Sequence, residues 1–209
     1  MQFNEAQIQA IQHNTGPCMV IAGPGSGKTT VLTHRVRYLI ERYGVNPSDI
    51  LVITFTKAAA EQMKLKFKGL SEGRNSAVTF GTFHAVFFTI LKAAYNYSAH
   101  CIIKPQIQHE FVKDQMCRLE LEYDDENEAV AGVLSEISCV KGEDVNIDEY
   151  ESRCIPPQSF RIMYRAYDDM LVRKHLIDFD DMIVQCRELL MQREDYRRAW
   201  QNKYKYILI

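Results

Sequence analysis

Two hydrophobic periodicities alternate over residues 1–91. Short, continuous apolar runs at 18–21, Ile50–Thr54 and 77–80 predict buried strands. Between them, apolar residues recur at helical spacing, and a last apolar run at 204–209 predicts one more strand. Strands that alternate with helices predict the α/β class, with a parallel sheet covered by helices on both faces.

This alternation stops after about residue 93, where helical spacing takes over. The helical region is interrupted by an acidic stretch at 120–128 and by a Pro-Pro pair at 156–157, and both predict loops. Six carboxylates lie between residues 118 and 128, which favours a solvated surface over a metal site. Tyr164, Tyr167 and Leu171 share one helical face and are expected in a core.

A glycine-rich turn follows the first apolar run and precedes a predicted helix. Its glycines let successive backbone N–H groups converge on one anion, and the helix N-terminus adds partial positive charge. The Lys28 ammonium can reach phosphates, and the Thr29 hydroxyl can ligand Mg²⁺. The sequence therefore predicts an ATP or GTP site. Its expected residues are Ala22, Gly23, Pro24, Gly25, Ser26, Gly27, Lys28, Thr29 and Thr30.

Composition agrees with a soluble globular protein, but charge is unevenly distributed. The chain has 209 residues, is 46% hydrophobic and carries a net charge of −2. Residues 1–100 have a net charge of +5, residues 101–160 of −9 and residues 161–209 of +2, so the middle segment is compositionally distinct. Six cysteines without metal spacing indicate reduced thiols. With no apolar run of membrane length, we expect a cytoplasmic protein with no membrane partner.

The segment that contains Asn4 and Gln7, and Phe55 after the next predicted strand, each allow two interpretations. Asn4 and Gln7 fit a capping box at a helix N-terminus, whereas the Gln7 amide could also hold an adenine edge. Phe55 could pack in a core or stack on nucleic-acid bases. In the second case Thr56, Lys57, Thr82 and His84 would hold phosphates.

Three aspartates near residue 180 also allow two interpretations. Asp178, Asp180 and Asp181 precede an amphipathic helix. The three carboxylates fit a magnesium site, but a helix N-cap at Asp178 or Asp180 is the simpler interpretation.

Together these motifs resemble superfamily 1 DNA helicases of the UvrD/Rep/PcrA type. The resemblance is carried by Phe3-Asn4-x-x-Gln7, by the turn 22–29, by 54–60 and 81–84, and by 176–181 and 206–209. It implies a P-loop NTPase (RecA-like) domain formed by residues 1–89 and 203–209, with a helical insertion at 90–202. It also implies that Lys28 and Thr29 serve phosphate and Mg²⁺, that Gln7 serves adenine, and that Phe55, Thr82 and His84 contact single-stranded DNA.

The resemblance further implies 3′→5′ movement on single-stranded or partly duplex DNA, driven by ATP. The family's Asp-Glu-x-Gln motif would follow the strand at 206–209, and its second RecA-like domain lies beyond that. We therefore expect an N-terminal part of a longer helicase, which partners the remaining helicase domains and alone binds nucleotide without efficient hydrolysis. A non-hydrolysing nucleotide-binding module and a small-molecule phosphotransferase are the alternatives.

Overall fold

The computed structural model describes residues 2–71 and 77–209, which form two compact units. One unit contains the residues up to Val86 together with Arg193–Ile209, and the other is Phe87–Gln192. The Ser, Gly and Asn residues between 71 and 76 predict a loop, and from residue 72 onward this segment lies outside the described residues. The helices are α1 (Glu5–Gln12), α2 (Lys28–Tyr43), α3 (Lys57–Leu70), α4 (Phe83–Tyr95), α5 (Pro105–Arg118), α6 (Glu126–Glu143), α7 (Pro157–Arg173), α8 (Phe179–Gln192) and α9 (Glu194–Lys203). The strands are β1 (Ile50–Thr54), β2 (Thr79–Thr82) and β3 (Tyr206–Leu208).

The first unit is built on a parallel sheet with strand order β2-β1-β3. Thr54 pairs with Thr82 on one side of β1, and Val52 pairs with Leu208 on the other. All five β1 residues are buried, as expected for a central parallel strand. The α/β class and the parallel sheet predicted from the sequence are confirmed. The strand predicted at 77–80 begins two residues later, since Thr79 is the first residue to pair with β1.

One predicted strand is absent from the described sheet. Residues 18–21 form an irregular segment with no strand pairing, and the side chains of Met19 and Ile21 are 86% and 91% exposed. The prediction of a buried strand here was wrong. A strand is stable only when its N–H and C=O groups find a neighbouring strand, and an apolar run does not specify that neighbour.

The helical unit surrounds a core built from α5, α6 and α7. Tyr167 and Leu171 are buried there, as predicted, and Tyr164 packs against this core as a partly buried residue. The acidic stretch is mostly exposed, and Asp125 within it caps the start of α6 by accepting a hydrogen bond from the Glu128 N–H. The Asp178 carboxylate accepts a 2.7 Å hydrogen bond from the Asp181 N–H, which confirms the N-cap interpretation.

The predicted domain boundaries at 89/90 and 202/203 remain predictions. They assign α9 to the helical insertion, whereas in the structure α9 belongs to the same compact unit as the sheet. None of the helices in the described residues is long and apolar enough to cross a membrane. Each of the six cysteines is a free thiol.

Lys141 is a buried charged residue inside the helical unit. Its side chain is 4% exposed, and its ammonium lies 2.9 Å from Asp178, 2.8 Å from Asp181 and 3.1 Å from Asp168. Tyr167 donates a 3.2 Å hydrogen bond to Asp178 and accepts one of 2.6 Å from Gln108. One ammonium thus joins α6 to α7 and α8, although it compensates only one of three carboxylate charges.

This imbalance shifts the proton affinities within the cluster. Burial lowers the pKa of Lys141, but the three carboxylates outweigh burial and raise it above its ordinary value. Burial and the neighbouring Asp178 raise the pKa of Asp181 to about 6. Lys141 therefore stays charged at neutral pH, while Asp181 ionises in the folded protein only at a higher pH than in the unfolded chain.

We expect Lys141→Met to destabilise the protein by about 3–5 kcal/mol, because the buried Asp178 and the partly buried Asp181 lose the ammonium that pairs with both of them. The methionine keeps the apolar stem, so the loss reports the ammonium. Chemical denaturation at pH 7.5 measures it. Lys113→Met is the matched control, since Lys113 pairs with Glu126 on the surface and its side chain is 52% exposed. Equal stability losses in the two variants would contradict this account of the cluster.

The raised pKa of Asp181 predicts a pH dependence that Asp181→Asn removes. Between about pH 4 and 6 the folded state holds this proton more tightly than the unfolded state, so ionisation lowers stability as pH rises. The stability of the native chain relative to Asp181→Asn should fall by on the order of 1–3 kcal/mol from pH 4 to pH 7. Urea unfolding of both proteins across this range measures the difference. A relative stability that rises with pH would show that the pKa of Asp181 is lowered instead.

Candidate nucleotide-binding site

The glycine-rich turn at 22–27 leads directly into α2. Gly25 and Gly27 have φ values of +74° and +82°, and Gly27 is the N-cap of α2. A side chain would be strained in this left-handed conformation, so both turn positions require glycine. The first N–H groups of an α-helix have no acceptor within the helix, so the N-terminus of α2 can bind an anion.

Lys28 is the first residue of α2 and folds back over the turn. Its ammonium donates hydrogen bonds of 3.2 Å and 2.9 Å to the carbonyl oxygens of Ala22 and Gly23. The positive charge therefore lies inside the loop, next to the helix N-terminus. Thr29 follows in the first turn of α2 and is partly buried.

Gln7 connects α1 to this turn. Its Oε1 accepts a 3.1 Å hydrogen bond from the Asn4 N–H, and Asn4 Oδ1 accepts one of 2.8 Å from the Gln7 N–H. This capping box is the simpler of the two interpretations of Asn4 and Gln7, and it is confirmed. In addition, Gln7 Nε2 donates a 3.1 Å hydrogen bond to the Ser26 carbonyl. After these contacts the amide still has one N–H and one lone pair available.

Arg35 fixes α1 against α2. Its guanidinium donates a 2.9 Å hydrogen bond to the Ala10 carbonyl and a second hydrogen bond to the His13 carbonyl. Burial lowers the pKa of Arg35 from its ordinary value, yet guanidinium stays charged in proteins. Periodicity did not identify this residue, although an arginine on the inner face of an amphipathic helix was the available signal.

A cavity of about 870 Å³ lies beside the glycine-rich turn within the first unit. It is lined by the loop, by α1 and by the end of β3, and its size is in the range of small-molecule sites. No Asp or Glu of the described residues lines it. The lining residues that carry the argument are Asn4, Gln7, Ser26, Lys28, Leu208 and Ile209.

The other predicted site residues lie beyond the carboxyl ends of β1 and β2. Because Thr54 pairs with Thr82, the two strands end side by side, and α3 and α4 begin immediately after them. Phe55 is 84% exposed, so its interpretation as a core residue was wrong. Its ring lies 5.5 Å from that of Phe83, at a tilt of 54°.

Two hydroxyls at this edge of the sheet have structural partners. Thr56 Oγ1 accepts a 3.2 Å hydrogen bond from the Ala59 N–H, and Thr82 Oγ1 accepts one of 3.2 Å from the Ala85 N–H. Both threonines therefore cap the helices that follow. Lys57 is exposed and His84 is partly buried. The edge combines a cation, an exposed ring and two helix N-termini.

Comparison with known proteins gives a consistent result. The family model described as "UvrD/REP helicase N-terminal domain" matches residues 3–209. The ATP-dependent DNA helicase Rep of Escherichia coli is 33% identical over 217 residues, covering 100% of this chain and 32% of the relative. The ATP-dependent DNA helicase PcrA of Staphylococcus epidermidis is 30% identical, covering 98% of this chain and 29% of the relative. The chain thus spans about a third of the length of these relatives.

We expect Arg35→Ala to release α1 from α2, because two backbone carbonyls lose their charged donor. Amide hydrogen exchange in residues 5–12 should become about tenfold faster or more, while exchange in β1 changes little. Arg37→Ala is the control, since Arg37 pairs with Glu41 on the exposed side of α2. Unchanged exchange in α1 would show that other contacts hold this helix.

Proposed function

The chain belongs to the UvrD/REP helicase N-terminal domain family, and from this we propose that it forms the ATP-binding part of an ATP-dependent DNA helicase. The parent protein would move 3′→5′ on single-stranded DNA or unwind partly duplex DNA. The remaining helicase domains would be its partners. The relatives Rep and PcrA are named as ATP-dependent DNA helicases, which supports the reaction class.

The observation that carries the nucleotide-binding proposal is the geometry of the turn. Two left-handed glycines form the turn, its last residue is the N-cap of α2, and the Lys28 ammonium lies within hydrogen-bond distance of the Ala22 and Gly23 carbonyls. Such a concentration of donors and positive charge suits the β- and γ-phosphates of ATP. The residues proposed to hold the phosphates are Ala22, Gly23, Pro24, Gly25, Ser26, Gly27, Lys28, Thr29 and Thr30.

The donor set also fits the base and the metal ion. The N–H and lone pair left on Gln7 after its two structural contacts match the donor and acceptor of the adenine edge. Gln7 would therefore cap α1 and bind adenine at the same time. The Thr29 hydroxyl would be one ligand of Mg²⁺, which neutralises phosphate charge when bound.

Efficient hydrolysis needs more than these groups provide. Phosphate-loop enzymes use a carboxylate to hold the Mg²⁺ and a further polar group to orient the attacking water. Since no Asp or Glu of the described residues lines the cavity, we propose that these 209 residues bind ATP but turn it over poorly. The same observation favours the alternative of a non-hydrolysing nucleotide-binding module.

Single-stranded DNA is proposed to contact the edge formed by the ends of β1 and β2. Phe55 would stack on bases, while Thr56, Lys57, Thr82 and His84 would lie along the phosphates. An 84% exposed phenylalanine beside a lysine and two helix N-termini supports this assignment. A phosphotransferase acting on small molecules would leave these features without a role.

We expect this chain to bind a fluorescent ATP analogue and to show little ATP turnover, with or without single-stranded DNA. Lys28→Ala should weaken nucleotide binding by tenfold or more, because the loop loses its only side-chain cation. Titration of the fluorescent analogue measures the nucleotide affinity, and phosphate release measures the rate of ATP turnover. Lys57→Ala is the control and should retain nucleotide affinity.

Two results would contradict this proposal. Equal nucleotide affinity in Lys28→Ala would remove the phosphate loop as the binding site. DNA-stimulated turnover that Lys28→Ala abolishes would mean that a carboxylate elsewhere performs hydrolysis.

A further inference from the structure

A cluster of rings on the helical unit has no role in the function proposed above. We define the ring patch as Tyr95, Tyr97 and His175. The rings of Tyr97 and His175 stack with centroids 5.2 Å apart and an interplanar angle of 30°. Tyr95 lies 6.0 Å from Tyr97 at 64°. Tyr95 is 44% exposed and His175 is exposed as well.

The backbone holds these rings in place. The chain after Tyr97 runs beside the chain after His175, because the Ile103 N–H donates to the Ile177 carbonyl (3.0 Å) and the Ile177 N–H donates to the Cys101 carbonyl (2.7 Å). The Tyr97 hydroxyl donates a 3.0 Å hydrogen bond to Gln185 Oε1. The patch is therefore ordered before any ligand binds, which reduces the entropy lost on binding.

Two residues of this region adopt left-handed backbone conformations. Asn96, between the two tyrosines, has φ of +56°, and His175 has φ of +53°. This conformation is uncommon for residues other than glycine and carries a conformational cost, although asparagine and histidine adopt it more often than most residues. In this conformation the His175 imidazole is exposed to solvent and stacks on the ring of Tyr97.

The charge around the ring patch differs from that of the rest of the helical unit. Residues 87–192 contain 20 Asp and Glu but only 11 Lys and Arg, whereas residues 92–109 contain no Asp or Glu. Lys92 lies one helical turn before Tyr95, and Lys174 precedes His175. Within the described residues, neither lysine has a carboxylate at ion-pair distance. Two unpaired cations thus flank exposed rings on an otherwise acidic unit.

We propose that the ring patch is a second contact for single-stranded nucleic acid. Bases stack on Tyr95 and His175, and Lys92 and Lys174 neutralise the flanking phosphates. Rings combined with unpaired lysines match the two chemical components of a single strand, whose bases offer π-faces and whose backbone is anionic. This inference rests on the proposed function, which supplies the single strand, and it adds a binding site on the helical unit.

Photo-crosslinking tests the location of the strand. A single-stranded oligonucleotide containing 5-iodouracil is irradiated with the full chain, and the adducts are mapped by mass spectrometry. We expect adducts at Tyr95, Tyr97 or His175 in addition to the Phe55 edge. Adducts at the Phe55 edge alone would overturn the ring-patch proposal and leave the proposed function intact. Adducts at neither location would overturn both assignments.

Variant affinities provide the second measurement, by fluorescence anisotropy with an oligo-dT probe at low salt. The pair Tyr95→Ala and His175→Asn should weaken binding by about tenfold, and asparagine is chosen because it tolerates the left-handed backbone. Tyr95→Phe keeps the ring and should retain full affinity. Tyr123→Ala is the matched control, since Tyr123 is 40% exposed in the acidic stretch of the same unit.

The salt dependence separates stacking from charge. Lys174→Gln should reduce the slope of log affinity against log salt by about 0.7, the contribution of one phosphate contact on a single strand. Full affinity in the Tyr95→Ala/His175→Asn variant, while Phe55→Ala weakens binding, would refute the ring patch alone. Phe55→Ala without effect, while the ring-patch variant weakens binding, would refute only the proposed Phe55 contact.

Discussion

The first unit depends on the pairing of β1 with a parallel strand on each side. Because parallel strands point the same way, pairing Thr54 with Thr82 brings the turns after β1 and β2 to one edge of the sheet. The two following helices then begin at this edge, where Thr56 and Thr82 cap them, and Phe55 is left exposed beside Phe83. A polar, partly aromatic surface is thus a geometric consequence of the sheet topology. All five residues of β1 are buried, so a change of register would be destabilising. A shift by one residue would move each of its side chains to the opposite face of the sheet and disrupt the packing there.

Sequence patterns predicted the elements whose determinants are local. The strand Ile50–Thr54 and the caps at Asn4 and Asp178 all depend on neighbours a few residues away. Residues 18–21 have the same apolar character as β1, yet they remain outside the described sheet. The difference is pairing: β1 has a partner on both sides, and pairing across the chain is not encoded in a single apolar run.

Lys141 illustrates why the buried charge could not be predicted. Its partners Asp168, Asp178 and Asp181 are 27 to 40 residues away in the chain, on two other helices. The available signal was a lysine in line with the apolar positions of α6, where Val133, Ile137 and Val140 are buried. The Asp178 cap is also more than a local contact, since the same side chain caps the start of α8 and accepts a hydrogen bond from Lys141 of α6. A local interpretation as an N-cap was therefore correct but incomplete.

Several polar side chains of this protein make a structural hydrogen bond and also have a second contact or a proposed binding role. A structural partner is therefore a poor criterion for excluding a functional role. Gln7 closes a capping box and binds the glycine-rich turn, while Thr56 and Thr82 cap helices at the edge proposed to bind DNA. A structural role found first does not exclude a binding role, because an amide or hydroxyl keeps unused donors and acceptors after one hydrogen bond. Exposed rings are more decisive, since an aromatic side chain in water gains nothing structurally from its exposure. Phe55 in the first unit meets this condition, as do Tyr95 and His175 in the helical unit, and each of these rings lies near a lysine in the chain that suits an anionic strand.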